Sequence, residues 1–224
     1  MDLKVLFLLF IIYSFLGWLM EIIIVSIQSK RPVDRGFLIG PVCPIYGCGA
    51  LLMTFLLEKY FNDLLVLFVF ATIIGAVLEY FVSYLMEKIF KTRWWDYSKH
   101  KFNINGRISL TSSLLFGILG VIVIHIFNPF FISILTMIPN LVLLILSIII
   151  GIIFITDTIV SFNVISKIKK IDLSDARDTT EEISARVKEI LRNRSKLSKR
   201  LVMAFPNLKV KFPIDLSKIK IKKN

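Results

Sequence analysis

Cysteine and histidine are almost missing from this chain, with two of each in 224 residues. Cys43 and Cys48 are five positions apart, which matches neither a zinc motif nor a redox pair, and two thiols cannot staple a disulfide scaffold. They are read as structural. His100 and His125 have no companions at metal-ligand spacing, so no metal and no cofactor is expected. There is no G-x-x-x-x-G-K-[ST] loop, which excludes a built-in nucleotide-hydrolysing site of that type. No nucleophile–base constellation is recognisable. No module that reads bases accompanies the basic charge, so nucleic acid is not expected as a partner. The internal repeat that many secondary transporters carry is also lacking.

What the chain has is apolar length. It is 56% hydrophobic, with a mean hydropathy of +0.76, too apolar for an ordinary soluble domain. A membrane-crossing helix needs about 20 predominantly apolar residues. Five stretches qualify, at roughly 4–27, 37–57, 64–86, 108–128 and 140–165. The first is too long for a signal peptide, contains Glu21 and shows no small-x-small cleavage site, so it is read as a retained helix.

Charge placement orients the bundle. Lys30, Arg31 and Arg35 follow the first span, and Lys88, Lys91, Arg93, Lys99, Lys101 and Arg107 follow the third. Basic residues are again dense from Lys167 onward, whereas the opposite side has only Lys4 and Lys59. Basic residues accumulate on the cytoplasmic side of short loops. The expected fold is therefore an all-α polytopic bundle of five spans, N-terminus out and C-terminus in. Residues 1–165 form the membrane unit and residues 166–224 a basic cytoplasmic tail. The bilayer is the first partner this composition implies.

Within these apolar spans lie Glu21, Glu79 and Asp157. A charge at bilayer depth costs roughly 2.5–3.5 kcal/mol on insertion scales, so such residues usually face a polar interior. Counting from the outer ends, all three fall about 23–26 Å into a core ~30 Å thick, in its cytoplasmic third. Gly75, Glu79, Ser83 and Glu87 recur every four residues and share one helix face. Arg35 and Arg107 open the second and fourth spans and are candidate counter-charges. A purely structural Glu–Arg pin between helices is the competing reading for each acid taken alone.

The second span is irregular by composition. Gly36, Gly40, Pro41, Pro44 and Gly47 make a poor continuous helix, so an interrupted span is expected. Non-helical backbone at membrane depth persists where it is buried in protein or lines a cavity. A proline-kinked packing helix is the alternative. The loop from Trp94 to Arg107 combines interfacial aromatics with Asp96, Asn105 and Arg107, and is expected to fold back over the polar cluster. The uncharged stretch from Asn128 to Asn140, bracketed by prolines, reads as a connection in the outer interface, either a short re-entrant or a surface segment. In the tail, Thr179-Thr180-Glu181-Glu182 opens a basic amphipathic helix, which would lie on anionic lipid, bind a partner or pack under the bundle. Residues 206–224 alternate lysine with apolar residues and are expected to be mobile or interfacial.

Several of these segments carry a family resemblance. They are Gly17-Trp18 with Glu21, then Arg35-Gly-Phe-Leu-Ile-Gly-Pro-Val-Cys-Pro-Ile-Tyr-Gly, then Leu78-Glu79-Tyr80 with Ser83 and Glu87. Trp95-Asp96-Tyr97-Ser98, Asn105-Gly106-Arg107-Ile108 and Ala204-Phe205-Pro206 continue the match. Together they resemble the bacterial putative ABC-transporter type IV, or CmpB-like, permease family over most of residues 10–206. Asp157 lies outside these motifs. The resemblance implies a multi-pass protein of the bacterial cytoplasmic membrane, a permease-like role, a separate ATPase subunit and homo-oligomerisation. Two other readings stand beside transport: an intramembrane enzyme acting on an anionic lipid or lipid-linked substrate, and a non-catalytic assembly protein with the tail as its handle.

Overall fold

The computed structural model describes residues 1–166 apart from 31, 34 and 91, together with 189, 196–205 and 209–210. The chain is mostly helical. In order, α1 is Leu3–Ser29, α2 Pro44–Leu57 and α3 Leu64–Phe90, with a short 3-10 turn at Glu58–Tyr60. Two-residue strands β1 (Thr92–Arg93), β2 (Asn103–Ile104) and β3 (Ile108–Ser109) lie between α3 and α4 (Leu110–Ile122). Then come a π-helical turn at Val123–Phe127, α5 (Asn128–Met137), α6 (Asn140–Ser166), α7 (Lys196–Ala204) and β4 (Lys209–Val210).

Four helical runs among the described residues are long and apolar enough to cross a membrane: Leu3–Ile27, Leu64–Phe90, Leu110–Met137 and Asn140–Val164. Their outward faces are apolar and exposed; on α6 these include Ile148, Ile149, Ile152, Ile153 and Ile155. Helices that face lipid rather than water look like this. The second stretch is different. Its helix has 14 residues and so spans only about 21 Å at 1.5 Å per residue. It is preceded by non-helical backbone from Gly36 to Cys43.

The break ends sooner than the glycine and proline pattern predicts. Pro44 is the first residue of α2, the position where a missing N–H costs nothing. Gly47 is therefore inside a regular helix, where it lets the Phe10 backbone and Ser14 of α1 approach closely. Cys43 N–H donates to the Ser14 carbonyl at 2.9 Å and ties the break to α1.

The stretch at 128–137 also departs from expectation. It is helical and continues α4 instead of forming a connection; the turn comes later, at Ile138–Pro139. Pro129 has no N–H for the preceding turn. The strain is taken up by the π-turn, in which Asn128 N–H reaches back to the Val123 carbonyl. Asn128 is buried, accepting from Tyr13 Oη at 2.5 Å and donating to Thr54 Oγ1 at 2.9 Å.

α3 and α4 pack through their small residues: Gly75 lies under Phe116, and Gly117 under Phe68 and Thr72. One apolar cluster joins Leu8, Leu9, Tyr13, Ala50, Val123 and Leu143, and a second joins Met53, Leu57, Leu67, Ala71 and Ile124. β2 and β3 form a small antiparallel hairpin, and β1 pairs antiparallel with β4 from the tail. The expected helix beginning at Thr179 falls mostly outside the described residues, as does most of 206–224.

Candidate functional site

A cavity of about 430 Å³ is enclosed by α1, α2, α3, α4, α6, the Gly36–Cys43 segment and the loop after α3. Most of its wall is apolar. Its polar groups are Glu21, Arg35, Tyr46, Glu79, Tyr97 and Ser112, together with Cys43 and Thr158.

Glu21 on α1 accepts from Arg35 Nε at 3.3 Å and from Tyr46 Oη at 3.0 Å. The Tyr46 ring fits because it packs over Gly17, one turn before Glu21. Arg35 is fixed from the other side. Its Nη1 donates to the Ala204 carbonyl at 2.6 Å, and its guanidinium lies 5.0 Å from the Phe205 ring centroid. Phe205 also meets Trp94 edge-on and lines the cavity, so the residue after α7 forms part of its wall. A further tail contact runs from Arg200 Nη1 to the Leu38 carbonyl at 2.8 Å.

Glu79 on α3 is 5% exposed. One oxygen accepts from Tyr97 Oη at 3.1 Å and the other from Ser112 Oγ at 2.9 Å. The start of α4 creates the second bond. Ser109 caps the helix by accepting from Ser112 N–H at 3.2 Å, while Ser112 Oγ accepts from Ser109 N–H at 3.1 Å. That reciprocal cap aims the Ser112 hydroxyl, and the positive end of the helix dipole, at the carboxylate. Burial, and then the charge of Glu79, push the Tyr97 phenol well above its usual range, so it stays a neutral donor.

A second polar network lies beside the cavity. Glu87 Oε2 accepts from Arg93 Nε at 3.0 Å and pairs with Arg107 Nη2 at 3.1 Å. Arg107 also donates from Nη1 to Ser83 Oγ at 3.3 Å, and its guanidinium lies between the Tyr80 and Tyr84 rings. Arg93 reaches Asp96 at 3.9 Å and the Asn105 carbonyl at 3.1 Å. The loop is shaped by residues 102–106. Gly106 has φ +64°, and a side chain there would press on Asp96 and Arg93. The loop lies back over the cavity and contributes Trp94, Trp95 and Tyr97 to its wall.

Asp157 is in neither group. Its oxygens accept from Ile39 N–H at 3.0 Å and Gly40 N–H at 2.9 Å, and Ser161 Oγ donates to it at 3.1 Å. Phe154 and Thr158, its neighbours on α6, line the cavity instead. Of the residues singled out in the sequence, Glu21, Arg35, Glu79 and Gly36 meet at the cavity, as does Pro44. Ser83, Glu87, Asp96, Asn105 and Arg107 belong to the adjoining network, and Asp157 with Gly40 forms a separate clasp. Pro41 lies at an exposed bend.

Tyr46, Tyr97 and Arg93 enter the sequence reading only as motif or basic loop residues, and Ser112 and Ser161 not at all; none is among its candidate site residues. Ser109-x-x-Ser112 was the available signal for one of them, a capping spacing at the head of a span.

Residues 8–162 match the model of a family described as putative ABC-transporter type IV. The chain belongs to that family. No curated protein and no solved structure is detectably similar to it. The family match covers both glutamates of the cavity, the interrupted approach to α2 and the Trp94–Arg107 loop. It ends before α7 and Phe205. A multi-pass membrane protein of ABC-transporter type agrees with the four long apolar helices.

Proposed function

We propose that this chain is a transport-related, permease-like membrane subunit. Its cavity, bounded by Glu21, Arg35 and Glu79, holds a small polar solute or a lipid head group. The observation that carries the reading is two carboxylates and a guanidinium around open volume, beside non-helical backbone that leads into α2. Interrupted helices at membrane depth are a recurrent way to build transport sites. The remaining candidate polar residues, Ser83, Glu87, Asp96, Asn105, Arg107 and Asp157, would hold that site in shape.

In this reading residues 1–165 form a unit of five crossings, counting 37–57 as the second. The N-terminus is outside, and residues 166–224 are a tail at the inner face of the bacterial cytoplasmic membrane. Basic loop placement supports this orientation. The sequence has no Walker A loop, so the driving ATPase would be a separate protein. So few helices leave little room for a complete path, and a second copy would supply the remainder.

The test is to purify the full-length protein from its native membrane, identify what accompanies it, and reconstitute it in liposomes. We expect an ATPase to co-purify and solute movement to require ATP. Arg35→Ala should lower that movement at least tenfold in a protein that still elutes as one folded species. A preparation that never contains an ATPase and moves no solute would overturn the reading.

A further inference from the structure

The cavity has a neighbour. An apolar groove of about 370 Å³ lies beside it between α1, α2, α4 and the π-turn, past Met20, Ala50, Met53 and Val123. Tyr46, Phe116 and Leu119 line both spaces, so the two share a wall, in which the Tyr46 and Phe116 rings stack at 6.0 Å. From Phe116 to Phe127 the groove follows roughly 16 Å of helix axis at 1.5 Å per residue. Leu19, Ile23 and Ile24 along its rim are exposed on the lipid-facing side of α1. Each volume alone falls in the usual range for ligand sites, about 300–1,000 Å³.

The charges in this region are unequally matched. Glu21 has Arg35, Glu87 has Arg93 and Arg107, and Asp157 has two backbone amides. Among the described residues Glu79 receives only hydroxyl hydrogens, from Tyr97 and Ser112. A carboxylate has about four lone-pair positions, so two remain unused. A buried carboxylate without a cation is unfavourable, and a cationic ligand would relieve it.

We infer that groove and cavity form a single site for a long-chain amphiphile with a protonated amine head. The ammonium meets Glu79 and the chain lies along Met20, Ala50, Met53 and Val123. The chain enters sideways from the bilayer past Ile23 and Ile24, so head and tail need not separate from lipid together. The inference rests on the reading that the cavity is a ligand site, and it specifies the class of ligand.

The test uses the full-length protein in phosphatidylcholine nanodiscs and three probes of equal chain length: 11-bromoundecylamine, 11-bromoundecanoic acid and 11-bromoundecanol. Binding is read by isothermal titration calorimetry against empty nanodiscs, because the bromine lies at the chain end, remote from Trp94 and Trp95 beside the head. The amine should bind at least tenfold more tightly than either other head. Glu79→Gln should remove that preference, a loss on the order of tenfold for one charge-assisted contact. Leu119→Phe, which enlarges a side chain lining both spaces, should weaken the amine probe severalfold. If Glu79→Gln does not fold, Glu79→Asp serves instead. It keeps the charge but withdraws it by one methylene, and should cut the amine preference severalfold. Equal affinity for all three heads, or a preference untouched by the Glu79 variants, would overturn the inference. Amine-selective binding by a protein that moves nothing in liposomes would sink the transport reading and leave this one standing. ATP-dependent movement of a water-soluble solute without amine preference would do the reverse.

Discussion

Glu79 and Asp157 are each an acid well inside a long apolar helix, and counting along the spans puts them at nearly the same depth. Their surroundings differ. Asp157 is engaged by the backbone: two adjacent amides of the Gly36–Cys43 segment and one serine hydroxyl donate to it. Glu79 is engaged by two side-chain hydroxyls on a wall of open volume. Depth identifies an acid that needs partners. The kind of partner separates an acid that holds the chain together from one that is available to a ligand. Backbone amides that have no helical bond of their own make Asp157 structural: it is the acceptor for Gly40 N–H and shares Ile39 N–H with Ser161 Oγ at 3.0 Å. Hydroxyls that can rotate to other acceptors leave Glu79 free to exchange partners.

The largest expected effect is at Asp157. Asp157→Ala removes the charged acceptor of two half-buried amides and leaves Ile39 N–H only Ser161 Oγ, a loss of about 3 kcal/mol at the rates for charged and unsatisfied groups. In a protein of this size that is roughly 6–12 °C of melting temperature, read by thermal unfolding in detergent. A variant that melts within a degree of the parent would mean that the Ile39–Gly40 amides find other acceptors, and the contrast with Glu79 would fail.

Arg107→Ala comes next, at about 2 kcal/mol. It removes the Glu87 pair, the Ser83 bond and a guanidinium held between two tyrosine rings, but Glu87 keeps Arg93. The same melt measures it. A loss larger than that of Asp157→Ala would make the loop network, and not the α6 clasp, the main brace around the cavity.

Gly40→Ala is smaller, about 1 kcal/mol. A Cβ at Gly40 would lie 2.8 Å from Asp157 Oδ2, so the carboxylate must shift off its amides. The double variant is more informative than either single one. With Asp157 already alanine there is nothing to displace, so Gly40→Ala should then cost almost nothing, a coupling of about 1 kcal/mol. Simple additivity would show that the clasp is not the reason for glycine at this position.

How much of this was written in the sequence depends on range. The four long helices follow from apolar length alone. The proximity of Arg35 to Glu21 was readable, because an acid near the end of one span and an arginine at the start of the next are brought together by a short connection. The hydroxyls on Glu21 and Glu79 were not. Tyr46 and Tyr97 come from other elements, and their direction depends on the rotation of α2 and the course of the loop, which no periodicity encodes. Asp157 was grouped with the glutamates because depth is set by counting, whereas the face it presents is set by packing. The run through Pro129 was misread as a connection because the proline rule ignores a π-turn that absorbs the missing hydrogen bond. Glycine and proline near residue 40 marked a break correctly in kind and too long in extent, since Pro44 begins a helix instead of interrupting one.

The smallest expected effect on stability is Glu79→Gln, and it decides the comparison. Glutamine keeps the volume and the oxygen that accepts from Ser112 or Tyr97, and its amide can donate to the Tyr97 oxygen. It also removes a buried charge at membrane depth, where the neutral form is cheaper. The two changes nearly cancel, so the melting temperature should stay within about 2 °C of the parent, a shift under ~1 kcal/mol. Reconstituted transport should nevertheless fall at least tenfold. A large drop in melting temperature would place Glu79 beside Asp157 as a structural acid. An unchanged melt with full transport would remove it from the site altogether. An unchanged melt with lost transport is what an acid kept for a ligand requires, because only then is the charge itself, and not the space it fills, the property the protein uses.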